Sequence, residues 1–449
     1  MQIAHSLFRL LLLASVAVSF SAQAGVKLDP GVAESLQQRG SQRLLVLLEA
    51  PPPVLRAEAG AVEQVEALMQ AVPALESRVL RRFQSIPGFA AELDPDLIDA
   101  LARSGASMRI GFDPEGAGNL PESVPLAEVT PLHLADLDGS GVKLAVIDSG
   151  ARLDHLSFAG RIVDEACFCT TCCPNGQATQ FGVGSSADDH GHGTNVSGIA
   201  AGAAGVTGVP RGVASGASIV SIKVLNANNG FCCASDVIAG YDWLRVNHPD
   251  ARVVNASLGT NARFAGDCDG SAAFTQLFAQ VINGLRTQGT LATVSSGNNG
   301  SSIDMQAPAC IANAVSVGAV YDATLGGLNF GACQEASTAA DQVTCFSNLG
   351  TTTDLLAPGS RLTAAGLSGS SATSTLSGTS MAAPMVAGCI ALLAEAVPEA
   401  TADQIEAALK ASPIRLARAT PAQDYPRLDC TDALRRLDPL LFANGFEAG

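Results

Sequence analysis

The chain is poor in positive charge and in segments suited to leaving water. Lys and Arg total 26 against 42 Asp and Glu, a formal net charge of −16, which argues against nucleic acid and anionic membranes as partners. Past the N-terminus no segment reads as a membrane span, because the apolar run from Met381 to Val397 is short and broken by Pro384. No cysteine follows the N-terminal apolar run at a lipidation position, so no lipid anchor is expected. There is no internal repeat, no convincing loop of oxygen ligands for calcium, and no partner at conventional zinc spacing for His190 and His192.

What is present is enough for a large core. At 449 residues, with 47% hydrophobic residues and 45 glycines, the chain fits one large domain plus a smaller one. Residues 1–24 have the layout of an export signal: Arg9, an apolar run from Leu10 to Phe20, then Ala22-Gln23-Ala24. Cleavage after Ala24 and secretion, to the exterior or periplasm, are expected. All 12 cysteines lie beyond it, and an even number in an exported chain reads as disulfides. The cluster CFCTTCC, Cys167 to Cys173, suggests zinc at first, but adjacent Cys172 and Cys173 suit a tetrahedral site poorly. Cys389, inside a buried helix, is expected as a free thiol serving as a small apolar residue.

Residues 25–120 read as a small α+β unit: a strand at Arg43–Leu48, a helix over Val62–Phe83, then GFAAEL (Gly88–Leu93), a helix from Asp94 and a strand near Met108–Phe112. A Gly, Pro and Ser linker, Pro114–Pro125, follows. From 121 to 430 apolar strands alternate with helices, the pattern of a mostly parallel sheet with helices on both faces. Strands are expected at 142–147, 218–225, 252–257, 290–295, 314–320 and 354–357, with helices near 193–203, 234–246, 272–286 and 380–396. Thr401 and Gln404 have capping-box spacing for one more. Residues 431–449 are expected as an unstructured tail.

In such a sheet reactive groups collect beyond the carboxyl ends of the strands. Asp148 directly follows VKLAVI, Asn298 lies in VSSGNNG, Ser380 lies in SGTSMAAPMVAG, and His192 lies in DDHGHGTNVSG. Serine needs a base within hydrogen-bond reach to become a nucleophile. An imidazole fits that task, and an aspartate on its other nitrogen fixes the tautomer. The Ser380 N–H at a helix start and the Asn298 amide suit a developing oxyanion. Taken singly, each residue has a structural explanation: a helix cap, a turn, an N-cap.

The combination is more specific. AVIDSG, HGTNVSGIAAG and GTSMAAPMVAG, in that order, resemble the aspartate, histidine and serine blocks of the subtilisin-like serine proteases. NASLG (Asn255–Gly259) resembles the segment that pairs with substrate backbone, and SSGNNG the block of the oxyanion Asn. FSNLGTTTDLLAPG resembles a further family segment. The likeness covers about 126–412, and residues 25–120, with SIPGFAAEL, are similar to the inhibitory propeptides of these enzymes.

The resemblance implies a secreted serine endopeptidase made as a zymogen, acting on polypeptides through Asp148, His192, Ser380 and Asn298. It needs no cofactor, has its own propeptide as inhibitor, and is expected as a monomer. Ser257, Leu258 and Gly259, with Ser295, Ser296 and Gly297, are expected to wall a substrate pocket roomy enough for a large apolar side chain. The propeptide cut is placed near 113–125. The imidazole followed by Gly-Thr is His192, which leaves His190 outside and makes Asp188 and Asp189 loop carboxylates at the surface. Asn195 stands where the family commonly has histidine, and 167–184 looks like an insertion. Cys333 with Cys345 is the expected local disulfide. Calcium is common in the family but is assigned to no segment here, and no metal site is expected. Two other classes compete: an inactive protein of the same fold that only binds, and a zinc hydrolase using His190, His192 and the cysteine cluster.

Overall fold

A computed structural model of the protein describes residues 25–29, 31–50, 60–82, 87–112, 120–417 and 423–441. The export signal, part of the expected cut region and the end of the C-terminal tail lie outside the described residues. The chain forms two compact units, 1–116 and 117–449.

The first unit is α+β, as its pattern predicts. Its sheet runs in the order Val26–Leu28, Ser107–Phe112, Gln42–Ala50, Gly88–Leu93, Val79–Arg82. Leu44, Val46, Phe89, Leu101 and Ile110 are fully or almost fully buried in its core. The helix from Asp94 is Pro95–Arg103, with the Asp94 carboxylate accepting from Leu97 N–H at 2.9 Å. The helix expected over 62–83 is shorter: it spans Ala61–Ala71, and a 3₁₀ turn, Pro73–Arg78, leads into the strand Val79–Arg82. Pro73 disfavours helical backbone at Val72 and lacks the N–H that a continuing helix would need.

The second unit is built on an eight-stranded sheet. In chain order its strands are β1 (Lys143–Asp148), β2 (Ile162–Phe168), β3 (Thr179–Phe181), β4 (Ser218–Lys223), β5 (Ala251–Ala256), β6 (Leu291–Ser295), β7 (Val315–Val320) and β8 (Leu355–Pro358). They lie in the order β8-β7-β6-β5-β1-β4-β2-β3, parallel throughout except β3 against β2. The strands are buried on both sides, and their side chains sort by alternation. Leu144 and Val146 face one core with helices α1 (His192–Ala201) and α4 (Thr379–Ala396); Ala145 and Ile147 face the other with α2 (Ala234–Asn247) and α3 (Ala273–Thr287). From β1 the chain builds toward β4 and β2 on one side, then crosses to β5 on the other. A ligand crevice belongs at the carboxyl ends where that direction reverses.

Three expectations are corrected. Cys389 is not free: it bonds Cys430. Helix α5 is Ala402–Lys410, capped by Thr401; residues after 430 are not all tail, because Cys430–Leu437 forms helix α6, capped by the Asp429 side chain and burying Ala433 and Leu434. The linker expected up to Pro125 already holds a helix, Leu120–Leu126. Among the described residues α4 is the one helix long and apolar enough to cross a membrane, yet 83% of it is buried inside the fold, the condition of a core helix. All 12 cysteines are paired, Cys333 with Cys345 as expected. The cluster at 167–173 forms Cys167–Cys173 and Cys169–Cys172, which removes the thiolates a zinc hydrolase would use.

Candidate active site

β1 delivers Asp148 to the crevice with no exposed surface. Its Oδ1 meets His192 Nδ1 at 2.7 Å and accepts from Ser149 N–H at 2.7 Å. His192 opens α1, and the close approach is made by glycine. A Cβ on Gly193 would lie 2.2 Å from the Gly150 carbonyl oxygen, and Gly150 itself holds φ +105°. Burial pulls the His192 pKa down, but the charge and hydrogen bond of Asp148 push harder, so the net shift is upward from the ordinary value.

Asp188 does more than occupy a loop. It is half-buried and accepts from Gly191 N–H (2.9 Å), His190 N–H (3.0 Å), Thr194 N–H (3.0 Å) and Ser149 Oγ–H (2.8 Å), while Ser149 Oγ accepts from Gly193 N–H at 2.8 Å. It therefore clips the start of α1 to the end of β1. Burial raises its pKa, and these donors together outweigh that and lower it. Asp189 remains exposed and receives Lys223 Nζ at 2.6 Å, but Lys223 is fully buried and also donates to the carbonyls of Ser149 (2.9 Å) and Leu225 (2.8 Å). Sequence reasoning passed over Lys223 because it sits inside the apolar run SIVSIKVL.

Ser380 stands in the first turn of α4, where backbone N–H groups lack helical partners. Pro384 has no N–H for the Ser380 carbonyl four residues earlier, and Ser257 Oγ donates to that carbonyl instead at 2.7 Å. The Ser380 hydroxyl donates to the Ser257 carbonyl at 3.3 Å rather than to the imidazole. Ser257 is held in turn by Asn255 Nδ2 (2.9 Å), whose Oδ1 accepts from Thr293 (3.0 Å). Asn298 is exposed, and its Oδ1 accepts from Thr379 N–H and Thr379 Oγ, which turns its Nδ2 donors outward.

Beside Ser380 opens a cleft of about 510 Å³. Ser257, Leu258, Gly259, Ser295 and Gly297 line it. Ser296 does not: it is fully buried and donates to the Asn348 carbonyl at 2.8 Å. Gln306 was missed. Its Oε1 lies 2.8 Å from where a Cβ on Gly259 would stand and 2.9 Å from one on Gly297, so its carboxamide sits between the two glycine walls. Residues between Leu225 and Ala234, Phe231 and Cys232 among them, line it too; they were missed because no motif marks them.

A parallel α/β sheet with a buried Asp148–His192 pair at the carboxyl end of β1, and Ser380 in the first turn of a buried helix beside a cleft, is a build that suits a hydrolase. Residues 139–427 match the model of the Subtilase family, and the chain belongs to that family. It is 35% identical to an extracellular serine proteinase of Thermus sp. (strain Rt41A), over 60% of this chain and 55% of that protein, so it spans about half of that relative. With an alkaline protease of Alkalihalobacillus alcalophilus it shares 32% identity over 78% of this chain and 81% of the relative. Among solved structures, proteases from Pseudoalteromonas arctica PAMC 21717 match at TM-score 0.54 and 26% identity, covering 71% of this chain and 94% of theirs. A cold adapted subtilisin-like serine proteinase matches at TM-score 0.50 and 27% identity, covering 66% and 90%.

Proposed function

We propose that the protein is a secreted serine endopeptidase, made as a zymogen, that cleaves polypeptides through Asp148, His192 and Ser380. An extended peptide pairs with the backbone of Ser257-Leu258-Gly259 by strand addition. A peptide N–H that takes the Ser257 carbonyl displaces the Ser380 hydroxyl from it, and the hydroxyl turns to His192 Nε2. His192 accepts the proton as Ser380 Oγ attacks the scissile carbonyl, then delivers it to the leaving amine; water repeats the sequence on the acyl-enzyme. Asp148 holds Nδ1–H and stabilises the imidazolium. Asn298 Nδ2 and the Ser380 N–H donate to the oxyanion. The observation that supports this most is the 2.7 Å bond between buried Asp148 and His192 Nδ1, which leaves Nε2 as the working nitrogen.

The unit before residue 117 is read as the inhibitory propeptide, and secretion follows the signal layout and the extracellular relative. No step needs a cofactor, and the mature enzyme is read as a monomer. A fluorophosphonate probe tests the chemistry: wild-type protein labels and Ser380→Ala does not. Absence of labelling in the secreted protein would favour the inactive binding protein.

A further inference from the structure

The connection from β4 to α2 also lines the cleft, and it ends in a disulfide between adjacent residues, Cys232–Cys233. Such a bond joins no distant segments, so it scarcely restricts the unfolded chain and adds little to global stability. Its effect is local. On one side of it the turn is braced by Asn226, whose Oδ1 accepts from Asn228 and Gly230 N–H at 2.9 and 3.2 Å. On the other, the first turn of α2 is pinned where Asp236 accepts from Thr170 N–H (2.9 Å) and Thr170 Oγ (3.0 Å). Between those anchors, Phe231, Cys232 and Cys233 are fixed by the disulfide, and Phe231 and Cys232 line the cleft.

Accessibility singles out the same bond. Cys232 is the one exposed half-cystine among the described residues; Cys167, Cys173, Cys268, Cys310, Cys389 and Cys430 are buried. Thiol exchange follows access to the attacked sulfur.

We propose that Cys232–Cys233 is a reducible wall of the substrate cleft, so that dithiol reductants weaken the hold on extended peptides and leave the bond-breaking groups intact. A thiolate of the dithiol attacks Cys232 Sγ, the S–S bond breaks, and Cys233 leaves as thiolate and takes a proton. The second reductant thiol then attacks the mixed disulfide and releases the Cys232 thiol, leaving the reductant as its own cyclic disulfide. Two electrons and two protons have moved to the pair. The Phe231–Cys233 segment loses its constraint, while Asn226 and Asp236 confine the change to the wall.

This inference rests on the protease reading, and the test separates the two. The secreted, purified protein is treated with graded dithiothreitol; alkylation and peptide mass mapping fix the concentration at which only Cys232 and Cys233 are modified. At that point KM for a peptide of about eight residues is expected to rise about threefold to tenfold with kcat nearly constant, while a short single-residue amide substrate is unaffected. C232S/C233S should show the raised KM without reductant and no further response to it. An unchanged KM in the mapped, reduced enzyme overturns the proposal, as does a double variant that keeps the dithiol response. Oxidised protein that cleaves neither substrate overturns the protease reading, and this inference with it.

Discussion

Asn298 accepts from Thr379 twice, from the backbone N–H at 2.9 Å and from the hydroxyl at 3.0 Å. Both bonds end on the side-chain oxygen, so the amide nitrogen is the atom left for the cleft. Asn298→Ala is expected to lower kcat by about 100-fold to 1,000-fold with little change in KM, the range known for losing one such donor in subtilisin itself. Thr379→Val keeps the N–H bond and removes the hydroxyl; steady-state kinetics should place it between wild type and Asn298→Ala. A Thr379→Val enzyme as poor as Asn298→Ala would mean the helix start has been disturbed.

The rise in the His192 pKa sets the acid limb of the pH profile. Only the neutral imidazole takes the Ser380 proton, so kcat/KM should climb with pH through a value above the unperturbed ~6.5. The upward push comes from Asp148, against burial. Asp148→Asn should therefore move the limb to lower pH and cut kcat by about 10,000-fold. A wild-type limb below that of free imidazole would contradict the assignment.

Asp188 should matter to stability with the opposite pH sense. Its folded-state pKa is lowered, so its contribution is complete above the unfolded value near ~3.9 and disappears as pH falls through the lower folded value. Urea unfolding at pH 7 should find Asp188→Asn weaker by about 1–3 kcal/mol, with the gap closing in strong acid. Because the same carboxylate holds Ser149 and Gly191, kcat should fall as well.

The bond between Cys389 and Cys430 ties α4 to α6 across a separation of 41 residues. A loop of that size restricts the unfolded chain by about 4 kcal/mol. Cys389→Ala with Cys430→Ala avoids a stray thiol and should unfold at correspondingly lower urea, with catalytic constants unchanged.

The strands were legible because a sheet covered on both faces needs near-continuous apolar runs: VKLAVI and TLATVS lie within one residue of β1 and β6. β2 was not, since IVDEACF carries Asp164 and Glu165. Glu165 is buried and its Oε2 accepts from Ser186 N–H and Oγ–H, a satisfaction that no local pattern announces. The pairing of Asp148 with His192 was legible from motif and strand end. Lys223, Asp188 and Gln306 brace or shape the site through residues distant in the chain, Ser149 for the first two and Gly259 for the third, and composition at each position looks ordinary; Cys232 bonds its own neighbour, and no motif marks that pair. Cys389 was misjudged for the same reason: its helix is apolar throughout, and its partner lies beyond the last recognised block.

Gln306 should govern which side chain enters the pocket next to the attacked carbonyl. Its Oε1 occupies the space between Gly259 and Gly297, where a larger residue on the substrate would otherwise reach. Gln306→Gly removes that carboxamide and opens the space, and a half-buried polar amide no longer faces an apolar ring. The ratio of kcat/KM for phenylalanine over alanine at that substrate position should rise about tenfold, as one or two added methylene-sized contacts allow. Peptides differing only at that residue provide the measurement. An unchanged ratio would place the side chain of the cleaved residue on another part of the cleft, toward Phe231 and Phe274, which line it as well.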